Sequence, residues 1–290
     1  MTNNQTAIFN EQSSAHYFLE YNLDKASLPQ IKEAYENCQT EIVLPFGLDF
    51  WQSISTSSPK DLRSFKTLDG LNAHSMPSTQ ADRFIWLHGE DESAVVQEVL
   101  RINQLLSPKA QLVSDLRGFK FQDSRDLTGF VDGSANPKDE KRQEAALIAE
   151  GEFAGGSFVM TQKWLHKLEA FAKLSQLKQE QVIGRTKPDS IELEGEAMPS
   201  DSHVSRTDVK VDGKGVKIYR RSLPFGSAAE HGLFFLAFAS DLGKFDIMLE
   251  RMLGITEDGI QDKIMNFSTA VTGSYSFAPS ENLLKKVLVV

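Results

Sequence analysis

The order in which strand-like and helix-like segments follow one another constrains this 290-residue chain more than any single residue does. From His16 to Leu23 the residues read as a strand. Ser27, Pro29 and Gln30 then supply an N-cap, an early-helix proline and a capping-box partner. Leu28, Ile31, Ala34, Tyr35 and Cys38 recur at three- and four-residue spacing, which places them on one buried face of a helix. A short strand is expected near Glu41 to Pro45, then a long polar connection from Ser53 to Gln80 and an apolar strand from Arg83 to Leu87. Glu90, Asp91 and Glu92 favour the positive end of a second helix carrying Val95, Val96, Val99, Leu100 and Leu106. A strand near Gln111 to Phe121 completes β-α-β-β-α-β, the ferredoxin-like unit, in which two helices cover one face of an antiparallel sheet.

The same order recurs. A strand at Ser157 to Thr161 precedes a helix with Trp164, Leu165, Leu168 and Phe171, and a further helical segment closes at Gly184. Strand-like stretches at Val204 to Val211 and Val216 to Leu223 flank the Asp212-Gly213 turn signal, and Leu233 to Ala239 is a continuous apolar strand. A helix with Phe245, Met248, Leu249 and Met252 on one face ends at Gly254, and Val271 to Phe277 supplies the last strand. The expected fold class is therefore α+β, with two ferredoxin-like halves whose antiparallel sheets carry packed helices. The halves divide as 1–140, including the Gly129 to Gly133 loop, and 141–290, at the charged, apolar-poor segment Lys138 to Gln143.

Composition removes several classes of function. A single cysteine, Cys38, excludes internal disulfides, paired-cysteine metal sites and covalent attachment of a c-type haem. The net charge of -9, without clustered Lys and Arg, argues against a nucleic-acid binder. The longest apolar run, Leu233 to Ala239, is far short of the roughly 18 residues of a spanning helix, so no membrane partner is expected. Met1 to His16 is polar and has no secretory pattern, which makes a cytoplasmic protein the expectation.

Three segments stand out: Gly129-Phe130-Val131-Asp132-Gly133-Ser134-Ala135-Asn136-Pro137, Ser202-His203-Val204-Ser205-Arg206 and Tyr219-Arg220-Arg221-Ser222-Leu223-Pro224-Phe225-Gly226. The first reads as a loop whose glycines let backbone approach a flat ligand and present one carboxylate, or as an ordinary solvated turn. His203 follows the cap-like Pro199-Ser200-Asp201-Ser202 and reads as a ligand presented toward a cavity, or as a satisfied core histidine. None of His16, His74, His88, His166 and His231 has a better local claim or a metal-binding spacing.

In order and spacing the three segments resemble the dye-decolourising peroxidase family, most closely its bacterial B-type branch. The first matches the family's GxxDG signature, the second its proximal histidine at His203, and the third its distal arginine at Arg220, seventeen positions on. The resemblance runs from about Tyr17 to Phe277-Ala278-Pro279-Ser280, and the family's fold is two ferredoxin-like halves.

That resemblance implies a haem peroxidase (EC 1.11.1.-) that reduces hydrogen peroxide through a ferryl intermediate and oxidises dyes or small phenolic and aromatic donors one electron at a time. A non-covalent haem b would sit mainly against the second half, with His203 as axial iron ligand and Asp262 accepting from its other ring nitrogen. Asp132 and Arg220 would act jointly on peroxide. Asn136, Arg185 and Arg206 are candidate partners of the haem propionates, although Arg185 equally suits a surface salt bridge. Ser222 stands where B-type members place an asparagine or another polar group in the distal pocket. Trp51, Trp86, Trp164, Tyr219 and Tyr275 are available as electron relays or as core aromatics. The resemblance further implies a homo-oligomer. Loading into an encapsulin shell is not expected, because only a short apolar terminus, Leu283, Leu284 and Val287 to Val290, follows Ser280. Two rival readings share these motifs: a haem-handling protein with incidental peroxidase activity, and a haem-free interaction module.

Overall fold

A computed structural model describes residues 3–289; Met1 and Thr2 of the polar N-terminal stretch and Val290 of the apolar terminus lie outside it. The first half runs β1 (Ala15–Leu23), α1 (Leu28–Glu36), β2 (Glu41–Val43), β3 (Arg83–Gly89), α2 (Glu92–Leu106) and β4 (Ala110–Phe119). Its antiparallel strands lie in the order β4-β1-β3-β2. The second half runs β5 (Ser157–His166), α3 (Gln176–Ile183), α4 (His203–Thr207), β6 (Tyr219–Arg220), β7 (Leu223–Gly226), β8 (His231–Ala239), α5 (Gly243–Leu253), β9 (Ser268–Ala270) and β10 (Ser274–Ala278). Here β9 and β10 pair with β5, β5 with β8, and β8 with both β6 and β7. Both halves thus have the ferredoxin-like order, each with one helical element or more between its first two strands and between its last two.

The sheets do not stay separate. Phe225 of β7 pairs with Gly118 of β4, which makes one ten-stranded sheet. At its far edges Phe46, just beyond β2, exchanges backbone hydrogen bonds of 2.9 and 2.8 Å with Phe277 of β10. The sheet therefore closes on itself and encloses one apolar core, while α1, α2 and α5 cover a second. Alternation along β1 serves both: Phe18 faces inward and stacks on Phe234 of β8 at 4.2 Å, whereas Leu19 and Tyr21 join the helix-covered core. The enclosed core also holds Glu20, whose carboxylate accepts from Thr161 Oγ1 of β5 at 3.0 Å.

Several local expectations change. Trp164 and Leu165 belong to β5, not to a helix; the strand is buried on both faces, so its apolar residues run on without the polar alternation that marks a half-exposed strand. Val204 to Thr207 is helical despite its β-branched residues, because Ser202 caps it by accepting from Ser205 N. The last strand is broken between Ala270 and Ser274. Ser27 does not form the expected capping box: its hydroxyl donates to Asp24 O. The Ser53 to Gln80 connection is less polar in practice, since Leu62, Phe65 and Met76 are buried. The charged segment Lys138 to Gln143 enters a helix, Glu140–Ala146, whose Ala145 and Ala146 are buried. Among the described residues no helix is long and apolar enough to cross a membrane.

Candidate active site

His203 is the first residue of α4, a one-turn helix set by the Ser202 cap. Gly184, which ends α3 at φ 95°, lies against that cap: a Cβ there would come within 2.8 Å of Val204 Cβ and 3.1 Å of Ser202 Oγ, so glycine permits the approach. The His203 Nδ1 lies 2.7 Å from Asp262 Oδ2. Asp262 is fully buried, and its other oxygen accepts from Ile264 N at 2.9 Å. The carboxylate thereby fixes the ring's orientation and places the Nδ1 proton between them, leaving Nε2 able to ligate through its lone pair. Nε2 has no hydrogen-bond partner among the described residues, and the ring lines two adjoining cavities.

Asp132 is presented by a hairpin within the segment that joins the halves. Asp126 N donates to Phe130 O at 2.8 Å and Asp132 N to Ser124 O at 3.0 Å. Gly129 and Gly133 bracket the signature at φ 89° and 74°, a region that side-chain-bearing residues seldom adopt. One Asp132 oxygen accepts from Gly133 N at 2.7 Å; the other has no donor among the described residues. Burial pushes the carboxyl above its ordinary range, the Arg220 guanidinium opposes that rise, and the Asp126 carboxylate adds to it.

Arg220 ends β6. Its backbone N–H donates to Asn136 Oδ1 at 3.0 Å, and its carbonyl accepts from Asn136 Nδ2 at 2.8 Å. The guanidinium makes no hydrogen bond among the described residues, and its Nε is buried. A buried guanidinium nitrogen without a partner is costly unless something else supplies the acceptor, so it marks a place for a polar ligand.

Asp132, His203, Thr207, Ile218, Arg220 and Met248 line both cavities, of about 120 and 170 Å³. The smaller is apolar, walled by Met160, Trp164, Phe235, Phe245, Leu249 and Met252; the larger has a polar rim with Arg185, Glu192, Asp208 and Lys217. An apolar recess with a cationic and polar rim suits a flat apolar molecule with carboxylates at one edge. A third cleft, of about 630 Å³, also reaches Asp132 and Arg220 and is bordered by Glu11, His16, Lys120, Arg142 and Ser222.

The other expected site residues fall differently. Arg206 does not face a cavity. Four of the five N–H donors of its buried guanidinium are taken, by both Asp258 oxygens at 2.7 and 3.0 Å, by Thr256 Oγ1 and by Arg251 O, and it lines neither of the His203 cavities. Asn136 spends its amide oxygen and one of its two amide N–H donors on the Arg220 backbone. Arg185 stands on the cavity rim and is ion-paired to Glu192 at 2.6 Å. Ser222 lies in the large cleft instead of the His203 cavities, its hydroxyl beside the Leu236 backbone. Trp51, Trp86, Trp164, Tyr219 and Tyr275 are all buried, and of these Trp164 alone lines a cavity with His203. Sequence reasoning missed His166: it lines the apolar cavity, with Nε2 3.0 Å from Asp126 Oδ1 and Nδ1 2.8 Å from Ser268 Oγ. Its partners are 40 and 102 positions away, so no local pattern could have announced it.

Comparison with known proteins decides the family. Residues 123–283, more than half the chain, match the model for "Dyp-type peroxidase, C-terminal". The chain belongs to the Dyp-type peroxidase family. A Mycobacterium tuberculosis dye-decolorizing peroxidase is 34% identical over 249 residues, which cover 84% of this chain and 74% of that protein. Among solved structures, a dye-decolorizing protein from V. cholerae superposes with a TM-score of 0.90 at 39% identity, covering 97% of this chain and 98% of that one. A Rhodococcus jostii DypB variant in complex with heme gives 0.89 at 34% identity, covering 95% and 96%. This Dyp-type peroxidase is accordingly an oxidoreductase, and its two ferredoxin-like halves are those of its structural neighbours.

Proposed function

We propose that the two adjoining cavities hold a non-covalent haem b, with His203 Nε2 as its axial ligand, and that the enzyme reduces hydrogen peroxide at the expense of dyes or small aromatic one-electron donors. The observation that carries this reading is the unpartnered trio at one apolar recess: the His203 Nε2, one Asp132 oxygen and the Arg220 guanidinium. Apart from Asp132, the walls of that recess come from residues 160–268, which supports assigning haem binding mainly to residues 141–290. Arg185 and Lys217, ion-paired on the rim of the larger cavity to Glu192 and Asp208, are the cations there that would suit propionates.

When bound, haem supplies cleavage of the peroxide O–O bond and storage of two oxidising equivalents. The chain's own residues handle protons and charge. The free oxygen of Asp132 takes the proton from one peroxide oxygen and returns it to the other, which leaves as water. Arg220 stabilises the negative charge that develops during that transfer. Asp262, by accepting from Nδ1, gives the His203 ring more anionic character and so favours the oxidised metal. The 630 Å³ cleft, which also reaches Asp132 and Arg220, supports an entry path for peroxide.

Absorption spectroscopy tests this. Haem-loaded protein is expected to show a Soret band that is lost in His203→Ala. Stoichiometric peroxide should change that band rapidly. Asp132→Asn should slow the change by roughly 10²- to 10⁴-fold, and Arg220→Ala by about 10²- to 10³-fold. Wild-type rates in both variants would refute the assignment at Asp132 and Arg220.

A further inference from the structure

The hairpin that carries Asp132 belongs to the segment between the halves, yet it is fastened to the second half at two points. Arg125 donates to Lys187 O at 2.7 Å and to Pro188 O at 3.0 Å. Asp126, the other anchor, directs Oδ1 at His166 Nε2, 3.0 Å away. His166 is the last residue of β5, and its Nδ1 faces the hydroxyl of Ser268, its cross-strand partner in β9. The second Asp126 oxygen accepts from Thr128 N at 3.0 Å and Thr128 Oγ1 at 2.6 Å, closing the tip of the hairpin. One largely buried carboxylate, its side chain 13% exposed, therefore ties the turn to itself and to the sheet beside the apolar cavity.

We propose that Asp126 and His166 are positioning residues for Asp132, a clamp that sets where the hairpin presents that carboxylate to the cavity. Burial disfavours ionised Asp126, but the hydrogen bonds from His166 and Thr128 outweigh it and hold the carboxyl below its ordinary range. A largely buried hydrogen bond to a carboxylate is rigid as well as costly to break, which suits it to fixing geometry. Strand registry supplies the lever. His166 is held by pairing on β5 and by Ser268, so the imidazole cannot follow the hairpin if the hairpin drifts. From Asp126 to Asp132 the hairpin is short and braced by the Asp126 N–Phe130 O and Asp132 N–Ser124 O bonds, so a shift at one end is transmitted to the other. A displacement of about 1 Å in a proton-transfer group can cost on the order of 100-fold in rate.

The inference rests on the reading of Asp132 as the proton carrier, and a double-mutant cycle on haem-loaded protein separates the two. His166→Leu removes the donor to Asp126 and fills similar volume, whereas His166→Gln keeps a nitrogen donor. The peroxide step is followed by the Soret change, the return step by donor oxidation, and hairpin order by amide hydrogen exchange over residues 124–132. Expected for His166→Leu are faster exchange in that segment and a peroxide step slowed roughly 10- to 100-fold. His166→Gln should restore most of both. In an Asp132→Asn background, His166→Leu should add no further slowing, because the clamp acts only through Asp132. Equal slowing in both backgrounds, or unchanged exchange and rate in His166→Leu, would overturn the inference while leaving the function standing. Should His166→Leu fail to bind haem, Asp126→Asn with the same readouts replaces it in the cycle, and additive effects there refute the clamp equally. If Asp132→Asn itself leaves the peroxide step unaffected, the functional reading falls, and the clamp with it.

Discussion

At the scale of single residues, the site is a set of polar groups whose protein partners are deliberately incomplete. In its proposed role Asp132 must be ionised to take a proton, and burial holds its carboxyl above the ordinary range, so the peroxide step should lose rate on acidification at a pH above about 4, the usual aspartate value. Asp126 contributes negative charge nearby, while Arg220 contributes positive charge. Asp126→Asn should therefore move the acid limb to lower pH, and stopped-flow rates between pH 3 and 8 would show it; a move upward would contradict the assigned charges. How much of this could be read from sequence is uneven. Three ordered motifs single out Asp132, His203 and Arg220 and a family position singles out Asp262, and the structure brings the first three to the same cavities and the fourth to the His203 ring. For Arg206 the sequence is silent, since an arginine three places after the histidine says nothing of Asp258, which comes from 52 positions away to pair with it. The same distance in sequence hid His166.

Elements were legible where one physical signal acted alone and obscure where two competed. The helix α2 shows the first case: acidic residues at its start and apolar spacing agree, and Asp91 caps it through Ser93 N. Strand β5 shows the second, because burial on both faces erases the period that separates strand from helix. Glu20 marks another consequence of closure of the sheet. A glutamate on the central strand β1 would be solvated in an open sheet, but here burial raises its carboxyl from 4.5 to about 7. Between those values the folded chain holds a proton that the unfolded chain has lost, so stability should fall as pH rises from about 4.5 to about 7 and then level off. The loss is on the order of 3 kcal/mol. Glu20→Gln keeps an acceptor for Thr161 and does not titrate, so its advantage in denaturant midpoint over the parent should grow across that window. An equal difference at pH 4.5 and pH 8 would refute this.

For the whole molecule, the joined edges matter more than the division into halves. Sequence order revealed two similar units but not the Phe225–Gly118 and Phe46–Phe277 pairings, which link residues too far apart for local pattern to report. With the core enclosed by strands from both halves, neither half can unfold without exposing the other's apolar residues. Thermal unfolding should consequently be one cooperative transition, coincident by far-UV circular dichroism and by tryptophan fluorescence from Trp51 and Trp86 in one half and Trp164 in the other. Haem binding at 100 times its dissociation constant should raise stability by about 2.7 kcal/mol and shift both signals together. Two separated transitions would show that the halves fold independently.

The amide of Asn136, set against the main chain of Arg220, has a further effect. Paired on one side with β8 and on the other with a single side chain, β6 ends where a neighbouring strand would otherwise be required to satisfy it. A full strand there would have walled off the opening; a lone amide satisfies the same two groups and leaves a doorway beside Arg220.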